Sequence, residues 1–310
     1  MAAVRRERKA LMKKKVMKGK RKISVVLSGF FLTVLALLFC SPVMLLLSGS
    51  VTGPYELRQM LRPVLEDERY TAAEVRERDT ILWEPVPRYP TGEHYQKLLF
   101  FTPQFFTVFW NSVKLTGLII GGQMLIAVPA AWALAVCRFR LRKILFTLYV
   151  ILMLMPFQIT MLSQYLVLNG LSLMNTHWAV VFPAVFSTFP VFLIYRGFAS
   201  LPEELLEAAR VDGAGELGVF WHIGLPLGMP GILSAVVLGF LESWNLIEQP
   251  LAFLENRQLW PLSLYLPEIG PDQAGAAFAA SVITLIPSGL VFWLGQDYLE
   301  QGIISSAIKG

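Results

Sequence analysis

The chain has 310 residues, 55% of them hydrophobic and only 16% charged, with a mean hydropathy of +0.55. Soluble domains carry nearer a quarter charged residues, and here the apolar residues fall in long blocks, so an ordinary soluble domain is excluded. The net charge of +5 is gathered in a basic run between Arg5 and Lys22, directly before the first block. That placement marks membrane topology and argues against a nucleic-acid-binding arm.

A bilayer core about 30 Å thick needs roughly 20 apolar helical residues to cross it. Blocks at 23–47, 112–136, 144–168, 178–195, 231–250 and 276–299 meet that requirement. The chain therefore reads as an all-α membrane protein with about six transmembrane helices. Residues 1–22 form a basic tail and 23–48 the first span, which is too long for a signal-peptide core and has no small-residue cleavage site after it. Residues 49–108 form an external loop of mixed charge, from Glu66 to Arg78, followed by prolines and aromatics between Trp83 and Pro90 that cannot make a regular helix. Residues 109–310 form the core transmembrane domain. The basic tail and the short basic loop with Arg138, Arg140, Arg142 and Lys143 are two crossings apart, which puts both on the cytoplasmic side. The loop 171–177 has no Lys or Arg, as expected outside, and six spans return the C-terminus to the cytoplasm.

Between the fourth and fifth blocks the loop 200–226 is too long to lack structure of its own. Ser200 and Glu203 have capping-box spacing, Pro202 suits a first turn, and residues 205–210 are good helix formers. Gly213 is placed to end the helix in a left-handed cap. A second short helix is expected over 216–221, with Leu217 and Trp221 on one face, and Pro226 and Pro230 then break the chain before the fifth span. By chemistry alone, such a helix–turn–helix with small alanines and the Phe220-Trp221 pair suits either a partner's groove or the lipid headgroups.

Within the blocks, Gln158, Glu242, Trp244 and Asn245 are candidate substrate-pathway residues. Polar groups within spans mark pathways. Glu242 also suits a pair inside the bundle, and Gln158 a bond across helices. Cys40 and Cys137 fall at different depths, so no disulfide is expected. His94, His177 and His222 are dispersed without metal-ligand spacing, so no metal or other cofactor is expected in this chain, and no G-x-x-x-x-G-K-[ST] phosphate loop occurs.

The string Glu207-Ala208-Ala209, then Asp212-Gly213-Ala214, then Ile223-x-Leu225-Pro226 resembles the EAA loop of binding-protein-dependent ABC importer permeases of the type I kind. Met155-Pro156-Phe157-Gln158, Asn175-Thr176-x-Trp178, Ser243-Trp244-Asn245 and the final Ala307-Ile308-Lys309-Gly310 extend the likeness to the carbohydrate members, of maltose and glycerol-phosphate type, and to the MalG-like second permease of the pair. One departure is Leu246, where the family often has an acid; Glu242 and Glu248 flank it. The resemblance implies a bacterial-type cytoplasmic (inner) membrane protein forming half of the pathway for a sugar or polyol. Its implied partners are a second permease subunit, two ATPase subunits that bind ATP and Mg, an extracytoplasmic solute-binding protein and membrane lipid. It also implies that Glu207, Ala208, Ala209, Asp212, Gly213, Leu225 and Pro226 form the ATPase-coupling loop, and that the chain itself is not an enzyme. The competing reading is a stand-alone secondary transporter or channel that uses the loop for another partner.

Overall fold

A computed structural model describes residues 2–65, 86–265 and 273–307, with side chains for 27–61, 86–265 and 273–300. The charged run 66–78, the stretch 83–85 and the tail residues 308–310 lie outside the described residues. Those described are helical apart from turns and one isolated antiparallel bridge between Thr52 and Pro90. The chain divides into two compact units, 1–92 and 93–310.

In the first unit, helix α1 (Ala2–Val51) carries the basic tail and the first span as one rod. Its segment Leu27–Val51 is the most apolar of the chain, with Leu27, Phe30, Phe31 and Phe39 exposed, as suits lipid. Helix α2 (Pro54–Leu65) follows. The Glu56 carboxylate accepts the backbone N–H groups of Arg88 and Tyr89 (3.1 and 3.3 Å), and Thr91 N–H donates to the Val51 carbonyl (2.7 Å). Residues 86–91 are thereby folded back onto the end of α1.

The second unit begins with α3 (Glu93–Phe101) and α4 (Pro103–Ala135). The expected second span therefore starts earlier than residue 112, and α3 packs on α4 and on the last helix, α14 (Ala274–Ala307). The third block is not one rod. It is α5 (Arg142–Met153) and α6 (Phe157–Gly170), bent by 102°. Pro156 has no N–H for the helix ladder and disfavours helical backbone at Met155. The Leu152 carbonyl takes the Met155 N–H instead, at 3.2 Å.

The fourth block is α7 (His177–Val185) and α8 (Thr188–Ala199), interrupted at Phe186-Ser187. Pro190 lies in the first turn of α8, where a missing N–H costs nothing. Beyond α9 (Glu203–Val211), α10 (Glu216–Val219) runs through a π turn, Phe220–Gly224, into α11 (Leu225–Trp244). The expected break at Pro226 and Pro230 does not occur. The Leu225 N–H reaches back five residues to the Phe220 carbonyl, and this widened turn gives the Pro226 ring room against the carbonyl four residues before it. Helix α12 (Glu248–Phe253), a 3₁₀ turn (Arg257–Leu259) and α13 (Leu262–Tyr265) complete the order before α14.

The core is α4, α8, α11 and α14. In lipid, helix association rests on close packing and interhelical hydrogen bonds, so small residues sit at the crossings. Gly197 of α8 and Gly231 of α11 meet backbone to backbone: a Cβ on Gly197 would stand 3.2 Å from the Gly231 Cα. The Ser234 hydroxyl reaches the Tyr298 carbonyl on α14 at 2.6 Å. At one end of the unit, the Asn175 side chain accepts the N–H groups of Glu255 and Asn256 (3.1 and 2.9 Å), and Asn111 donates to the Gln258 and Trp260 carbonyls. At the other end, Arg142 caps the Ala135 carbonyl of α4 at 2.8 Å, and Arg138 pairs with Glu203 of α9. The loop 136–141 and the α9–α10 element thus share one face.

Candidate functional site: a docking loop and a mid-span cavity

The loop keeps its expected turn but not its expected start. The residue before α9 is Pro202, with no side-chain cap, and the Ser200 hydroxyl donates to the Gly197 carbonyl at 2.7 Å, closing α8. The capping box therefore does not form: α8 runs on to Ala199 and claims Ser200 for its own C-terminus. Acidic Glu203 and Glu204 in the first turn of α9 still complement its dipole.

At the other end of α9, Gly213 has φ +89°. Its N–H donates to the Arg210 carbonyl (3.1 Å) and the Ala214 N–H to the Ala209 carbonyl (3.0 Å), the paired bonds of a Schellman cap. The Arg210 guanidinium then grips Glu216 at 2.9 and 3.3 Å, tying α9 to α10 and holding Arg210 above even its usual high range.

This geometry gives the element two faces. Inward, Leu206, Ala209 and Val219 are buried in a cluster centred on Trp132, whose ring meets Phe198 edge-on at 5.2 Å and Phe220 at 5.4 Å. Phe220 is thus part of the internal core, and Trp221 is the member of the pair that points outward. On that outer face Val211, Leu217 and Trp221 are 87%, 75% and 60% exposed, beside exposed Glu207, Ala208 and Asp212. Leu225 and Pro226 form the first turn of α11, directly beneath. Cys137, next to this cluster, has its thiol pushed up by burial and by the Glu216 carboxylate, against the pull of Arg210 and Arg142.

The second feature is a cavity of about 630 Å³. Its walls include both interrupted spans: Met155 and Phe157 at the α5–α6 bend, and Phe186 to Phe189 at the α7–α8 break. Non-helical backbone at membrane depth is tolerated where it lines such a cavity. Gln123 of α4, twelve residues before Ala135 and so about 18 Å along the helix from its end, reaches the cavity near mid-span. Thr160, Gln164, Glu242, Ser243 and Gln249 add its other polar walls.

The four pathway candidates from the sequence are not brought together. Glu242 lines the cavity. Gln158 does not; its amide donates to the Glu248 carboxylate at 2.7 Å, joining α6 to α12. Trp244 is 3% exposed in the core, stacked on Phe240 at 5.5 Å, its indole N–H donating to the Thr284 carbonyl at 3.1 Å. Asn245 is exposed and bonds the Leu241 carbonyl at 2.8 Å, capping α11. Gln123, Gln164 and Gln249 were missed. Their only sequence signal was an amide inside an apolar block, and nothing in the sequence pairs positions 41 and 85 residues apart.

Residues 124–305 match the family model of binding-protein-dependent transport system inner membrane components. The chain belongs to this family. The match covers more than half of the chain and takes in the α9–α10 loop and all of the cavity's polar walls except Gln123, which stands one residue before it. Among related transport permeases, an arabinooligosaccharide transport system permease protein, AraQ of Halalkalibacterium halodurans, is 33% identical over 209 residues, 66% of this chain and 75% of that protein. An sn-glycerol-3-phosphate transport system permease protein, UgpE of Yersinia pestis, is 29% identical over 63% of this chain and 72% of its own length. A crystal structure of a bacterial ABC transporter involved in import of the acidic polysaccharide alginate shares the fold, with TM-score 0.72 at 21% identity over 89% of this chain and 96% of that one. This permease is accordingly a multi-pass membrane protein and a translocation subunit of an ABC importer.

Proposed function

We propose that this permease forms half of the pathway for a sugar or related polyol. In this reading a second permease subunit completes the pore, two separate ATPase subunits hold ATP and Mg, and an extracytoplasmic binding protein delivers the solute. The N- and C-termini face the cytoplasm, the chain performs no hydrolysis itself, and residues Glu207, Ala208, Ala209, Asp212 and Gly213 shape the element that enters the ATPase.

One observation carries the reading. The α9–α10 element is fixed on its inner side by Leu206, Ala209 and Val219, yet presents Val211, Leu217 and Trp221 to the outside. A rigid element with an uncovered aromatic and two aliphatic anchors is built to dock. Its continuity with α11 through the π turn supplies a mechanical link: a push on α10 moves the helix that carries Glu242 and Ser243 at the cavity. ATP then has an element through which to favour one global state over the other. The names of the arabinooligosaccharide and glycerol-phosphate relatives support a carbohydrate-type solute.

The test is reconstitution of the full complex in proteoliposomes. Solute uptake is expected only with ATP, the ATPase subunits and loaded binding protein. Uptake by this permease without the ATPase would instead establish the stand-alone transporter.

A further inference from the structure

The docking element is fastened to more than the helix that follows it. We infer that Trp132 of α4 is a positioning residue for transport: through its ring, a displacement of α9–α10 moves α4 together with α8 and α11, so that three walls of the cavity shift as one body. The inference rests on the proposed ATPase docking and deepens it.

Trp132 is 6% exposed and stands three residues before the end of α4 at Ala135. Its ring meets Phe198 of α8 at 5.2 Å and Phe220, the first residue of the π turn, at 5.4 Å. At the last residue of that turn, Gly224, the indole touches bare backbone: a Cβ there would overlap the ring atoms Cζ3 and Cη2. The ring therefore holds both ends of the turn through which α10 passes into α11. Gly228 and Gly231 continue the same face of α11, at i+4 and i+7 from Gly224. A Cβ on Gly228 would overlap the Phe198 ring, and one on Gly231 would stand 3.1 Å from the Gly197 Cα. Backbone against ring, and backbone against backbone, leave no flexible side chain to absorb a displacement, and packing this close transmits strain.

All three helices joined here carry cavity walls farther along. Gln123 lies about 14 Å along α4 from Trp132, Phe189 about 14 Å along α8 from Phe198, and Glu242 about 27 Å along α11 from Gly224. Without the indole, a push on α10 reaches the cavity through α11 and through α8, which the glycine crossings tie to it. With the indole, α4 follows. Helix α6, whose Phe157, Thr160 and Gln164 add to the wall, takes no part in this contact. Its one buried residue, Leu168, packs with Ala179 of α7 and Phe253 of α12.

The test uses the full complex in proteoliposomes with its binding protein, compared without nucleotide and with Mg-ATP and vanadate. Nitroxide labels at exposed positions report helix distances: Met229→Cys on α11 is paired with Leu125→Cys on α4, or with Leu162→Cys on α6. Cys40 and Cys137 are changed to alanine. With Trp132 present, nucleotide is expected to shift the α11–α6 distance by about 1–2 Å or more and to leave the α11–α4 distance unchanged. In Trp132→Leu the α11–α4 distance is expected to shift too. A control separates this from a general loosening of the core. Phe105→Leu thins a buried site of α4 about 40 Å from Trp132, and should lower thermal stability without releasing α4 from α11. Trp132→Phe keeps a ring but lacks Cζ3 and Cη2, and carries the test should Trp132→Leu not assemble with the ATPase. An α11–α4 shift with Trp132 in place, a fixed α11–α4 distance in the assembled Trp132 variant, or the same shift in Phe105→Leu would overturn this inference and leave the proposed function standing. No nucleotide-dependent shift in the α11–α6 distance would overturn the ATPase docking, and this inference with it.

Discussion

Gly213 offers the sharpest test of the docking loop, because its role is purely conformational. A Cβ there would meet nothing within 4 Å, so no clash contributes. Its φ of +89°, in contrast, lies where an L-residue is strained. Gly213→Ala is expected to cost about 1–2 kcal/mol of the turn's stability, a factor of roughly 5–30 in its occupancy. Gly213→Pro goes further. Proline holds φ near about −65°, opposite in sign to the native value, and removes the N–H that donates to the Arg210 carbonyl at 3.1 Å. The Schellman cap cannot form, for a total of about 3 kcal/mol or more. Gly213→Asn, which visits the left-handed region more readily, is expected to lose less than alanine. The assay is ATP-driven uptake together with co-purification of the ATPase, with the amount of permease in the membrane fraction as the insertion control. The expected order of loss is Pro, then Ala, then Asn, all inserting normally because the core of α4, α8, α11 and α14 is untouched. A proline variant that keeps normal ATPase coupling would refute the docking assignment.

Other consequences follow from the same geometry. Trp221→Ala is expected to weaken ATPase co-purification by about 2 kcal/mol or more, as for a central aromatic anchor, whereas Phe220→Ala is expected to lower the thermal stability of the permease itself, since Phe220 packs on Trp132. Gly231→Val places side-chain atoms where the Gly197 backbone now stands, so a loss of about 1–3 kcal/mol should appear as a lower melting temperature in detergent. Glu203→Ala removes an ion pair to Arg138 whose side chains are both well exposed; thermal stability should change by about 1 kcal/mol at most, and less in high salt. The Cys137 thiol, raised by burial, stays protonated further up the pH scale than an ordinary thiol. Its alkylation at pH 8 should therefore be slower than that of a free cysteine, and should accelerate only at higher pH.

The sequence made some parts of the site legible and hid others. The Gly213 turn could be read because a left-handed cap is a local requirement: one residue type, a few positions, no distant partner. Ser200 shows the limit of that method. Its spacing to Glu203 is that of a capping box, but the hydroxyl serves whichever helix end reaches it, and α8 runs far enough to take it. Pro156 and Pro226 are a similar pair. Both interrupt an apolar block and both remove an N–H, yet one produces a 102° bend and the other a π turn within a continuous helix. What differs is what each flanking segment packs against, which proline chemistry alone does not specify. Trp244 and Gln123 exchange expectations for the same reason. An indole that looked suited to the pathway lies in the core, bonded to Thr284; a glutamine inside an apolar block drew no notice and stands at the cavity wall, its amide bonded to the Ala184 carbonyl.

By itself, the sequence determined the membrane class, the approximate number of spans, the place of the helical loop between the fourth and fifth blocks and its central turn. Each depends on composition or on contacts a few residues apart along the chain. Tertiary structure alone decided which polar groups face one another across the spans. Gln123, Gln164, Glu242 and Gln249 come from four different helices, and they share a wall only because the α5–α6 bend and the α7–α8 break leave a space among those helices for them to line.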